Sequence, residues 1–267
     1  VAVSLTGPSL AHARAQARTA VDTGADVLEL RVDLLEEAGA PATFAPMDAG
    51  AAAARILECL REVGEVADDA DTDAVAPLLL TCRTAAEGGR AQLDDAAYGA
   101  LLRSVLDGLA AWAPERRPAA IDVEVERGCL RRVCEQAHGL GVNVVASFHD
   151  FDTTPSDQVL EEVLARMADE GADLAKIAVW PTGAADVARL LGVCARAAAD
   201  PEEERGLGVP VAAMSMGALG VVSRVAPAFG SALTFAVVPD EQGETQASAP
   251  GQMPIQDVRR CLELLRA

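Results

Sequence analysis

The stretch Ala172-Asp173-Leu174-Ala175-Lys176-Ile177-Ala178-Val179-Trp180 is apolar except at its second and fifth residues. A short, near-continuous apolar run is the mark of a parallel strand covered on both faces. Alanine-rich amphipathic segments flank it, Asp157–Asp169 before and Ala184–Ala198 after. The same alternation extends to both ends of the chain. Strands are expected at Val1–Leu5, Asp26–Val32, Pro77–Thr84, Ala119–Val125, Val142–Phe148, Leu174–Trp180, Val209–Met214 and Leu233–Val238. Further helices are expected at Ala11–Thr23, Ala52–Val66, Ala96–Ala111 and Arg127–Leu140, with a last one at Ile255–Leu265. Pro254 precedes that last helix, which suits a first-turn position.

Eight β/α units in about 250 residues is the arithmetic of a TIM barrel. A doubly wound sheet has similar ingredients, but usually announces itself with a Gly-x-Gly-x-x-Gly turn. No such turn is present. The expected fold is therefore a (β/α)8 TIM barrel, one catalytic domain over residues 1–267. Asp68–Asp73 and Asp200–Arg205, the latter with the acidic run Glu202–Glu204, read as solvated loops inside it. The polar stretch Asp240–Gln252 after the eighth strand reads as a mobile lid.

Composition narrows the function. A formal charge of −19 disfavours nucleic acid and anionic membranes, whose phosphates it would repel. No stretch approaches the roughly 20 apolar residues needed to span a bilayer. The N-terminal Val1-Ala2-Val3-Ser4-Leu5-Thr6-Gly7 lacks a basic leader region and reads as a strand. The absence of an initiator methionine reads as processing or trimming. Six cysteines (Cys59, Cys82, Cys129, Cys134, Cys194, Cys261) lack Cys-x-x-Cys spacing and read as small apolar residues in a reducing cytoplasm. Three histidines without a His-x-x-x-His pair give no reason to expect a metal site.

The basic residues are more telling: 21 of the 22 are arginine, and Lys176 is the only lysine. Arginine suits buried ion pairs, whereas lysine is the residue whose pKa falls readily on burial. A desolvated amine is a nucleophile that forms Schiff bases with ketones.

A TIM barrel assembles its site at the C-terminal ends of its strands. There the sequence places Glu29 and Arg31, which share a face by the period-two alternation of a strand. It also places Arg83 with Glu87 and the turn Gly88-Gly89, Ser147-Phe148-His149-Asp150, Lys176, and Met214-Ser215-Met216-Gly217 followed by Ser223-Arg224. Blander readings stand beside these. Glu29 and Arg31 could form a structural ion pair, and His149 could cap a strand end. Met214 and Met216 read as packing, and His12 and His138 as helix-surface residues. The roles of Glu124 and Glu126 stay open.

At these positions the chain resembles the type I 3-dehydroquinate dehydratases. The resemblance runs from Val3-Ser4-Leu5 to Gly251-Gln252. Its carriers are Glu29-Leu30-Arg31-Val32-Asp33, Cys82-Arg83-Thr84-Ala85-Ala86-Glu87-Gly88-Gly89, and Ser147-Phe148-His149-Asp150-Phe151. Lys176-Ile177-Ala178-Val179, Ser215-Met216-Gly217 with Ser223-Arg224, and Ala247-Ser248-Ala249-Pro250-Gly251-Gln252 complete the set. Trp180 stands where the family pattern suggests a smaller residue. The N-terminal hairpin that often closes this barrel reads as absent or truncated.

The resemblance implies Lys176 as the imine-forming amine, His149 as general base and acid, and Glu87 as its orienting partner. It implies Arg224 as the clamp on the substrate carboxylate, and Glu29, Arg31 and Arg83 as ligands of ring hydroxyls. Ser248 and Gln252 would close over the substrate, and Ser4 joins the binding set. It further implies 3-dehydroquinate as substrate, no metal or organic cofactor, a homodimer and a cytoplasmic enzyme. Desolvation and the arginines would lower the Lys176 pKa, while the glutamates would oppose them. An aldolase-type lyase would share the strand lysine but needs no His149–Glu87–Arg224 set. A catalytically dead quinate-binding barrel would be expected to have lost Lys176 or His149.

Overall fold

The computed structural model describes residues 1–36, 48–68, 76–200, 206–239 and 245–266. Of the loops expected from sequence, residues 69–73, 201–205 and 240–244 lie outside these. Eight strands alternate with helices: β1 Ala2–Leu5, α1 Leu10–Asp22, β2 Val27–Arg31, α2 Ala49–Asp68, β3 Leu78–Thr81, α3 Asp95–Leu109, β4 Ala120–Glu124 and α4 Leu130–Gly139. They continue as β5 Asn143–Asp150, α5 Asp157–Asp169, β6 Leu174–Val179, α6 Ala184–Ala197, β7 Val211–Ser215, β8 Phe235–Ala236 and α7 Ile255–Arg266.

All seven strand-to-strand ladders are parallel, in the order β7-β6-β5-β4-β3-β2-β1-β8. The seam between β7 and β8 is spanned by an isolated bridge from Val211 to Ser231 and by the Ala232 N–H, which donates to the Val211 carbonyl at 2.7 Å. This is the TIM-barrel-like fold expected from the alternation.

Two hydrophobic layers follow from the strand period. Side chains on the outer face pack under the helices in one large core. Those on the inner face, Ala2, Leu79, Val145 and Ala212 among them, form a second, smaller core inside the barrel, with Met214 and Phe235 reaching up to the pocket wall. Above that plug the inward positions turn polar, and every one of Ser4, Glu29, Arg31, Thr81, Arg83, Asp122, Glu124, Ser147 and Lys176 is buried. The apolar plug is the floor and the polar tier is the site.

Where elements are shorter than expected, the backbone is in use elsewhere. β3 stops at Thr81 because the chain beyond it folds into a turn, with Ala85 N–H donating to Ala91 O and Ala91 N–H to Arg83 O. α4 starts at Leu130, not Arg127, because Val125–Arg127 forms a 3-10 turn ended by Gly128 at φ +67°. β8 keeps only two ladder residues because Val237 bonds the start of α7 instead, through Met253 O at 3.0 Å and Ile255 N–H at 3.0 Å. Between β7 and β8 the described chain has two 3-10 segments, Ala218–Val225 and Pro227–Phe229, in place of an α-helix.

Candidate active site

The C-terminal mouth of the barrel holds a pocket whose wall includes Glu29, Arg31, Arg83, Glu87, His149, Lys176, Arg224, Ser248 and Gln252. Nine of the ten residues singled out from sequence thus face one cavity. The tenth, Ser4, lies just behind it and donates a hydrogen bond to Glu29 Oε2. A larger cleft opens by the segments that lead into β3 and β4, between Leu60, Trp112 and Arg117, but among the described residues its wall holds no lysine, histidine, cysteine or serine.

Lys176 points inward from the middle of β6 and is 5% exposed. Its Nζ lies 3.7 Å from Asp122 Oδ2 and 4.6 Å from the centre of the Phe235 ring. Burial holds its pKa below the ordinary 10.5. Asp122 and Glu29 oppose that shift, and Arg83 and Arg31 reinforce it. The sign that the opposing charges left open in the sequence is thus downward, and Arg224 is not among its causes.

On the neighbouring strand, His149 Nδ1 lies 2.8 Å from Glu87 Oε2. Burial drives both groups toward their neutral forms. The His149 imidazole is pushed well below its usual value by desolvation and by the Arg83, Lys176 and Arg31 charges. The Glu87 carboxyl is raised to about 8, desolvation outweighing the pull of Arg83. The Phe151 ring stacks on His149, centroids 6.5 Å apart, and lies over Gly88. Gly88 sits at φ +78°, and a Cβ there would fall 2.3 Å from Phe151, so the Gly88-Gly89 turn is what allows the pair to be roofed.

The three arginines differ in how they are paired. Arg31 is held bidentately by Asp33, Nε to Oδ1 and Nη2 to Oδ2, both at 2.8 Å. The structural ion pair anticipated for Arg31 therefore exists, but with Asp33 and not with Glu29. Glu29 instead accepts from the hydroxyls of Ser4 and Thr81. Arg83 donates through Nη1 to Glu124 and Ser147 and through Nη2 to Asp122, so its terminal nitrogens are engaged beneath the pocket.

Arg224 has no ion-pair partner among the described residues. Its Nη2 donates to Pro250 O at 3.0 Å, its Nη1 meets Met214 Sδ at 3.7 Å, and its Nε has no partner. Burial alone lowers its pKa to about 10, which leaves it charged at neutral pH. A buried guanidinium without a carboxylate partner carries a desolvation cost that an anionic ligand would offset.

The described part of the loop expected as a lid, residues 245–252, lies across this mouth. Gln252 and Ser248 bond each other, and Ser248 Oγ donates to Ser4 Oγ at 2.9 Å. Pro250 O accepts from Arg224 and from Gly217 N–H. A continuous chain of hydrogen bonds therefore runs from this loop through Ser4 to Glu29 in the polar tier.

The two glutamates with open roles separate cleanly. Glu124 is fully buried and binds Arg83 and both the N–H and hydroxyl of Thr84. Glu126 is on the outside, paired with Arg166 at 2.8 Å. Sequence reasoning gave no role to Asp33 and Asp122, each fully buried. Their signal was available, since a carboxylate inside an apolar strand, or at its end, is as unusual as a lysine. The cysteines are free thiols, four of them buried and Cys129 and Cys261 partly so. His12 bonds Ser9 at the start of α1, and His138 pairs with Asp173, both at the surface.

Fold and mouth together describe a (β/α)8-barrel enzyme that handles a small molecule at its strand ends. The type I 3-dehydroquinase profile matches residues 1–267. A 3-dehydroquinate dehydratase of Klebsiella pneumoniae subsp. pneumoniae is 36% identical over 268 residues, covering 99% of this chain and 92% of the relative. One from Listeria monocytogenes serotype 4a is 33% identical with the same coverage. The solved 3-dehydroquinate dehydratase of Geobacillus kaustophilus superposes with a TM-score of 0.78 at 29% identity, over 99% of this chain and 90% of that one. The type I enzyme of Clostridium difficile, solved with covalently modified comenic acid, gives the same four values. The chain belongs to the type I 3-dehydroquinase family.

Proposed function

We propose that this chain converts 3-dehydroquinate to 3-dehydroshikimate and water, a step of the shikimate pathway, by syn elimination through a Schiff base on Lys176. The observation that carries this is the depressed amine of Lys176, buried on the pocket floor beside the His149–Glu87 pair. As free amine, Nζ adds to the C3 carbonyl, and the carbinolamine takes up a proton and loses water to leave an iminium. That cation withdraws electrons from C2, whose proton His149 removes through Nε2 while Glu87 fixes Nδ1. The resulting enamine expels the C1 hydroxyl, which leaves as water with the proton from His149. Hydrolysis of the product iminium restores Lys176 and the C3 ketone. The iminium is the electron sink, so these steps require neither a metal nor an organic cofactor.

Arg224 clamps the substrate carboxylate, and its lack of an acidic partner supports that assignment. Glu29 and Arg31 meet ring hydroxyls from one side, and Ser248 and Gln252 close from the other, with Ser4 passing the contact to Glu29. Arg83, with its terminal nitrogens engaged, acts from below by holding Asp122, Glu124 and Ser147 in place. One catalytic domain over residues 1–267, working as a cytoplasmic homodimer, completes the proposal. Light scattering tests the dimer.

The deciding experiment is borohydride reduction with 3-dehydroquinate present, followed by peptide mass mapping. Substrate-dependent mass on the Lys176 peptide is expected. No adduct, or an adduct confined to the N-terminal amine, would overturn the Schiff base.

A further inference from the structure

The acid nearest the reacting amine is one that the mechanism above does not use. Asp122 is fully buried in β4, and its two oxygens are treated differently. Oδ1 accepts from Arg83 Nη2 and from Ser147 Oγ, both at 2.8 Å. Among the described residues Oδ2 accepts no hydrogen bond, and it faces Lys176 Nζ at 3.7 Å. A fully buried carboxylate oxygen left without a donor is costly and calls for an explanation. With Oδ1 clamped by two donors the carboxylate cannot rotate, so Oδ2 is fixed toward β6.

We infer that Asp122 is the counter-ion of Lys176, aiming the amine at the substrate carbonyl and remaining opposite the nitrogen when it carries the iminium charge. The assignment rests on the Schiff-base proposal for its second half only. A cation buried in the barrel needs a paired charge, and the other candidates are committed. Glu29 on β2 faces the same amine but accepts from the Ser4 and Thr81 hydroxyls, and Glu87 is paired with His149. Arg83 on β3 and Arg31 on β2 disfavour its charge, and Arg224 beyond β7 lines the same pocket. Asp122 is the largest opposing influence.

A single lysine makes the test direct. With ¹³C-labelled lysine incorporated during growth, the Cε resonance of the folded enzyme reports one titration and needs no assignment. Asp122→Asn keeps an oxygen for Arg83 and Ser147 and removes the charge. Its lysine midpoint is expected to fall by about one pH unit or more below the unaltered enzyme, a tenfold or larger change in the ammonium–amine ratio at fixed pH. Turnover is expected to fall about 10²-fold, as when one electrostatic partner of a developing charge is removed. A midpoint that stays in place or rises would overturn the assignment. Should Asp122→Asn fail to fold, Asp122→Ser, which also removes the charge, carries the same expectation. If borohydride traps no adduct in the unaltered enzyme, the Schiff base falls, whereas the lysine titration still decides whether Asp122 is the counter-ion.

Discussion

Replacing Arg224 with methionine separates what this side chain costs the fold from what it gives the substrate. The guanidinium is 3% exposed, has no carboxylate partner among the described residues, and has its pKa lowered from 12.5 to about 10 by burial alone. A depression of that size costs the folded protein about 3 kcal/mol at neutral pH, where both folded and unfolded chains hold the proton. Methionine removes that cost but forfeits the hydrogen bond to Pro250 O, worth about 1–2 kcal/mol. The net expectation is a variant about 1–2 kcal/mol more stable, seen as a rise of about 2–8 °C in the unfolding midpoint. Substrate should show the opposite. Losing a buried, bidentate charge pair costs about 2–5 kcal/mol, so KM for 3-dehydroquinate should rise roughly 30- to 5,000-fold. Thermal unfolding without ligand and steady-state kinetics read the two arms. A destabilised variant would show that an acidic partner satisfies Arg224, and an unchanged KM would remove it as the carboxylate clamp.

Other residues carry their own expectations. His149→Ala should still form the borohydride-trapped adduct on Lys176 while elimination falls by about 10²–10⁴-fold; unimpaired turnover would exclude His149 as the base. Asp33→Asn should destabilise by about 3–5 kcal/mol in urea melts, because Asp33 takes two bonds from Arg31 and one each from the Arg83 and Arg90 N–H groups; an unshifted melt would mean Arg31 finds another partner. Glu87 binds its proton more tightly folded than unfolded, its carboxyl being raised from 4.5 to about 8. The stability this contributes is complete below about pH 4.5 and is lost as pH rises through 8, at up to about 1.4 kcal/mol per unit. The stability of the unaltered enzyme relative to Glu87→Gln should therefore decline between pH 5 and 8, and a flat or rising difference would contradict the buried, neutral carboxyl.

The parts of this site that were legible in the sequence share one physical origin. Inward-facing positions of an apolar strand admit a charge only where the barrel opens, so Glu29, Arg83, His149 and Lys176 stood out against their flanks. Asp122 had the same signature within Ala119–Val125 and could have been read by the same rule, since it shares a face with Glu124. What the sequence could not reveal was pairing. Arg83 meets Asp122 and Glu124 across 39 and 41 residues, and Asp33 gathers Arg83 and Arg90 N–H groups from 50 and 57 residues away. Those partnerships depend on strand register and on the turn after β3, neither of which a local pattern encodes. Arg31 and Arg83 accordingly read alike in the sequence, although Asp33 neutralises the first and Asp122 and Glu124 the second.

That distribution bears on how so acidic a chain would attract the anionic substrate proposed for it. A net charge of −19 repels a carboxylate from a distance, but at physiological ionic strength the field of surface charges is screened over about 8 Å. What the substrate meets at the mouth is therefore the local balance. Arg31 is cancelled by Asp33 and Arg83 by Asp122 and Glu124, so neither offers net attraction. Arg224 alone presents an uncompensated charge, and its only described oxygen contact is Pro250, on the same loop as Ser248 and Gln252. A carboxylate arriving at Arg224 thus binds the residue that already holds the lid. In the proposed function, seating the substrate carboxylate and holding this loop would then draw on the same guanidinium.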